Sequence, residues 1–142
     1  MLRPLLAVGI ILTAGSLTFP SGTAAEQSLA SEKAASVHII EGPALESATD
    51  SSAIIRWTTN NPGGSDLHYA IVHYGTAPQN LAARSRSPNR RNRNHPSMTF
   101  RVRVDGLRPG KTYHYWVESV QANGISDRVT SPVNRFTTPQ HP

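Results

Sequence analysis

The sequence predicts an all-β protein, a seven-stranded antiparallel sandwich of two sheets. Short runs of alternating apolar and polar residues recur from Val37 onward. Clusters of Gly, Pro and Asn separate these runs, and none of them keeps a helical period. Between two of the runs lies Leu107-x-Pro109-x-x-x-Tyr113, the pattern that a tyrosine corner needs. There the Leu plugs one end of a core, the Pro fixes φ in the turn, and the Tyr hydroxyl reaches upstream backbone.

The chain has 142 residues, room for one domain. It has no cysteine, which excludes a disulfide framework, a thiolate nucleophile, a cysteine-based metal site and a lipid-modified N-terminal cysteine. Arg3 and the apolar run Leu5 to Leu17 read as an export signal. Pro20, Ser21 and Gly22 break that run, and Thr23-Ala24-Ala25 offers small residues for cleavage, so residues 1–25 are assigned to a signal peptide. The run is shorter than the ~20 apolar residues of a spanning helix, so no membrane span is expected after cleavage. The formal charge of +5 falls to +4 once Arg3 is removed. Periplasm, cell surface or extracellular medium is the expected location.

Residues 26–36 are Ala-, Ser- and charge-rich, and read as a tail or linker before a domain at 37–139; residues 140–142 close the chain. The first strand starts at Val37 and is expected to end at Gly42-Pro43, with Pro43 at a sheet edge. The second, Ser52 to Thr59, turns Ala53, Ile55 and Trp57 to the core and Ile54, Arg56 and Thr58 away from it. After the loop Asn60 to Ser65 comes the third, Asp66 to Thr76, with Ala70, Val72 and Tyr74 on one face and Tyr69, Ile71 and His73 on the other. A weak edge strand is expected over Asn80 to Arg86, then a polar loop over Ser87 to Pro96. Ser97 to Val104 puts Phe100, Val102 and Val104 inward. Lys111 to Val120 puts Tyr113, Tyr115 and Val117 inward, with His114, Trp116 and Glu118 opposite. A turn at Gln121 to Gly124 precedes the last strand, Arg128 to Thr138, which Pro132 interrupts.

Taken together, Ile55-x-Trp57, Val72-x-Tyr74-Gly75, the run Val102 to Val117 and Phe136-Thr137-Thr138-Pro139 resemble a fibronectin type III domain, of the immunoglobulin-like sandwich class. They are similar in particular to the domain that precedes the catalytic domain of purple acid phosphatases. The resemblance implies a sandwich over residues 37–139 and a role in binding, spacing or docking. In that enzyme family the metal site lies in a separate domain, and its set of ligand motifs, Asp-x-His, Gly-Asp-x-x-Tyr, Gly-Asn-His-Glu and Gly-His-x-His, is not expected here. The resemblance therefore transfers no catalytic residue, and neither cofactor nor metal is expected.

Two constellations stand out. Arg84, Arg86, Arg90, Arg91 and Arg93 put five arginines within ten residues, with no acid among them. Guanidinium forks suit phosphate, sulfate and carboxylate, so this is the expected anion-binding loop. No aromatic residue interleaves it, which disfavours single-stranded nucleic acid. The second is a face formed if the third and sixth strands are neighbours: Tyr69, Ile71, His73, His114 and Trp116 would share it, as a protein-contact surface. His73 and His114 could oppose each other there, although two ligands are too few for a structural metal site. His38, His68 and His141 are expected at the surface.

The functional expectation is an exported, non-catalytic binding or adhesion module with a protein or anionic-polymer partner. The alternative is an accessory domain of a purple acid phosphatase-type metallophosphoesterase system.

Overall fold

Each alternating run forms a strand because its apolar half finds a second layer to cover it. The computed structural model describes residues 32–123 and 128–142, so the signal peptide and most of the tail lie outside the described residues. Among the described residues eight strands follow in chain order: β1 (Ile39–Ala48), β2 (Ser52–Asn60), β3 (Leu67–Gly75), β4 (Ala83–Arg90), β5 (Ser97–Asp105), β6 (Thr112–Gln121), β7 (Val129–Thr130) and β8 (Asn134–Thr137). One antiparallel sheet has the order β1-β2-β5; the other runs β4-β3-β6-β7, with β8 also paired to β6. The short β7 and β8 are the two halves of the expected seventh strand, parted around Pro132. The fold is thus the fibronectin type III-like sandwich that the resemblance implies.

The core is the inward alternation of both sheets. Ala53, Ile55 and Trp57 of β2 and Phe100, Val102 and Val104 of β5 meet Ala70, Val72, Tyr115 and Val117 from β3 and β6. Trp57 stacks on Phe100, with ring centroids 5.4 Å apart. Burying each large side chain of this set contributes roughly 1.5–3 kcal/mol. At the sheet-to-sheet crossing Leu107 is buried, and the Tyr113 hydroxyl accepts a hydrogen bond from the Arg108 amide at 2.9 Å. The tyrosine corner forms as expected.

Three expectations need correction. β1 does not stop at Gly42-Pro43. Glu41 opposes Thr58 while Ala44 opposes Arg56, so a bulge absorbs the pair and pairing resumes as far as Ala48. Gly42 adopts φ of 82°, and a Cβ there would lie 2.9 Å from the Arg56 carbonyl oxygen. Pro43 is tolerated because β1 is an edge strand, as expected.

β4 is the expected edge strand, but it runs on to Arg90 and contains Pro88. The first four residues of the expected polar loop, Ser87 to Arg90, are therefore strand.

His68 is not at the surface. It is 2% exposed, lies edge-on to Phe100 at 6.4 Å, and its Nε2–H donates to the Ser65 carbonyl at 2.9 Å. Burial pushes its pKa below 6.5. His38 and His141 are exposed, with His141 paired to Asp50 at 2.5 Å.

Candidate binding face

β3 and β6 are neighbours, so the sheet face expected from the alternation exists. The register sets His73 opposite Trp116, Ile71 opposite Glu118, Tyr69 opposite Val120 and Gly75 opposite His114. Residues directly opposite on an antiparallel pair project to the same side. Tyr69, Ile71, His73, His114 and Trp116 thus lie together on the outer side of the larger sheet, all five half-buried. His73 and Trp116 stack nearly parallel, with centroids 3.9 Å apart and planes at 3°.

His73 and His114 do not oppose each other. His73 Nε2 instead sits 3.0 Å from Glu118 Oε2. The other oxygen of this buried carboxylate accepts from Arg128 Nε. Among the described residues no group of three His, Asp or Glu side chains could hold a metal ion.

β4 changes the picture of the arginines. Its pairing with β3 sets Arg84 opposite His73, Arg86 opposite Ile71 and Arg90 opposite Leu67. Three of the five arginines therefore stand on the same outer face as the aromatic residues, in register with them. The Arg86 guanidinium lies over the Tyr69 ring, 3.8 Å from its centroid. The two constellations that look separate along the chain form one continuous surface.

Arg91 and Arg93 part from the other three. Arg93 grips the Asp66 carboxylate with two hydrogen bonds of 2.7 Å, and this contact holds Asp66 below the ordinary 3.8. Arg91 is largely buried, 3.9 Å from the same carboxylate, and donates to the Gly64 carbonyl at 3.3 Å. The acid that neutralises this end of the run lies 27 residues upstream of Arg93, where composition of the run cannot reveal it.

Asp66 also opens a tripeptide that sequence reading overlooks: Asp66-Leu67-His68 matches the Asp-x-His ligand motif of the purple acid phosphatases. The fold keeps its two ends from one ion. Asp66 faces the surface arginines, whereas His68 is in the core with its Nε2 committed to Ser65.

The family model of the purple acid phosphatase N-terminal domain matches residues 41–138, which span the bulge of β1, both sheets and the corner. The chain belongs to this family. A search of curated proteins finds no match. Among solved structures, this purple acid phosphatase N-terminal-type domain is similar to a sensor domain of the anti-sigma factor RsgI4 of Pseudobacteroides cellulosolvens. Identity is 21% and the TM-score 0.49, over 74% of this chain and 94% of that one. It is also similar to a fibronectin type III domain of human fibronectin type III domain containing protein 3. There identity is 18% and the TM-score 0.44, over 78% of this chain and 91% of that one. Likenesses of this size carry no argument about partner or activity.

Proposed function

We propose that the chain is an exported, non-catalytic binding module whose contact surface is the outer face of the β4-β3-β6 layer. The export part rests on the Arg3 and Leu5 to Leu17 pattern with its small-residue cleavage site. The observation that carries the binding part is the register of β4 on β3. It sets an arginine row beside a stacked His73–Trp116 pair on one sheet face. Aromatic and arginine side chains side by side are the composition of contact hot spots. Family membership does not favour the alternative of a phosphoesterase accessory domain, because a shared fold does not carry a shared partner.

The test is retention of envelope-fraction material on the immobilised chain. Trp116→Ser is expected to release what the wild type holds. Arg101→Ala, on the outer side of the other sheet, is expected to leave retention unchanged. If both variants retain the same material as wild type, the contact surface lies elsewhere.

A further inference from the structure

The arginines of the two sheets are treated differently by the fold. On the outer side of the smaller sheet each arginine has a carboxylate. Arg56 pairs with Glu41 at 3.2 Å, Arg101 with Glu46 at 2.8 Å and Arg103 with Asp105 at 2.7 Å. On the larger sheet the only outward carboxylate among the described strand residues is Glu118, which Arg128 and His73 already occupy. Arg84, Arg86 and Arg90 make no ion pair among the described residues. Nor does Arg135, which opposes His114 from β8. A row of guanidinium groups without ion-pair partners thus borders this face, along the edge strand β4.

Resting on the contact face proposed above, we infer that its ligand is an acidic polysaccharide, a chain of uronate or sulfated sugars. Each guanidinium fork matches a carboxylate or a sulfate with two parallel hydrogen bonds. Alternation along β4 sets Arg84 and Arg86 about 6.8 Å apart on this side, with Arg90 further along the same strand beyond Pro88, a row suited to a linear polymer. Beside the ladder, Ile71, Tyr69 and the His73–Trp116 pair give an apolar strip along which a polymer backbone can lie. Nucleobases suit this face less well, because they need open ring faces. Arg86 already covers one face of Tyr69, and His73 and Trp116 cover each other.

The test is a titration of the full chain with heparin, polygalacturonate, neutral dextran and a single-stranded oligonucleotide, read by fluorescence. Trp116 lies on the face and Trp57 in the core, so a ligand on the face is expected to quench the exposed part of the emission only. Both acidic polysaccharides are expected to bind, and dextran is not. Arg84→Ala with Arg86→Ala is expected to weaken binding by about tenfold or more, the loss of charged hydrogen bonds. Arg101→Ala with Arg103→Ala removes the same charge from the other sheet and is expected to change binding less than twofold. Equal losses in the two pairs reduce the effect to bulk charge and overturn the inference. So do tighter binding of the oligonucleotide and absence of binding to both acidic polysaccharides. If the polysaccharides fail while Trp116→Ser still releases envelope material, only the ligand class is wrong. If Trp116→Ser also has no effect, the contact face falls with it.

Discussion

Arg108 is held at both ends of its backbone by side chains from later in the chain. Its amide donates to the Tyr113 hydroxyl at 2.9 Å, and its carbonyl accepts from the buried Thr138 hydroxyl at 2.6 Å. The same Thr138 oxygen accepts from the Lys111 amide at 3.0 Å. The corner is therefore closed from β6 and from the residue that follows β8. Tyr113→Phe is expected to lose about 1–2 kcal/mol of unfolding free energy in urea, and Thr138→Val about 1–3 kcal/mol. The double variant is expected to be non-additive, since both side chains act on Arg108. Unchanged urea midpoints in both single variants would show that the corner hydrogen bonds are idle.

Acid is expected to weaken the fold through His68. The buried ring resists a proton that the unfolded chain accepts near 6.5. Below that pH the unfolded state binds more protons than the folded state, so stability falls as pH drops and is restored as it rises. Urea midpoints measured near pH 7.5 and near pH 5 check this. His68→Gln is expected to flatten the difference, because it removes the titrating group. A wild-type midpoint that is constant across this window counts against it.

Gly75 ends β3 where the chain bends back toward β4. A Cβ at this position would collide with the Asn80 carbonyl oxygen. Asn80 is itself fixed, its amide donating to the Ala77 carbonyl at 3.0 Å. Backbone cannot swing aside as a long side chain can, so Gly75→Ala is expected to lose about 1–3 kcal/mol. A thermal melt within experimental error of wild type contradicts the close approach.

Asp66 occupies Arg93 and lies beside Arg91, so it is expected to compete with an external anion for this end of the run. Asp66→Ala is expected to lengthen retention on immobilised heparin, because it frees the exposed Arg93 guanidinium and removes a negative charge beside Arg91. Arg93→Ala alone is expected to change retention little. Stability should barely move in Arg93→Ala, since solvent screens an ion pair between exposed groups. Shorter retention of Asp66→Ala is the outcome that refutes this competition.

The sandwich is legible in the chain because period-two alternation and core burial are the same fact seen twice. Trp57, Phe100, Val102 and Tyr115 all fall where the alternation puts them. Alternation also points His68 inward, with Ala70 and Val72. Reading its ring as polar hides this, and its polar atom is satisfied by a carbonyl three residues away. Gly42-Pro43 and Pro88 look like terminators along one strand. They are not, because β1 and β4 have a free side that tolerates a bulge or a missing donor. The union of arginines and aromatics is invisible for another reason. It depends on the pairing register of β4, and Asp66 reaches Arg93 only after folding.

The outermost strand of the larger sheet has a second effect. Carrying Pro88 among like-charged arginines, β4 is a poor template for another copy of itself. Two molecules meeting rim to rim would set cation against cation and find a donor missing. The ribbon proposed to meet a polymeric anion is thus also one that disfavours fibril growth when many copies crowd together.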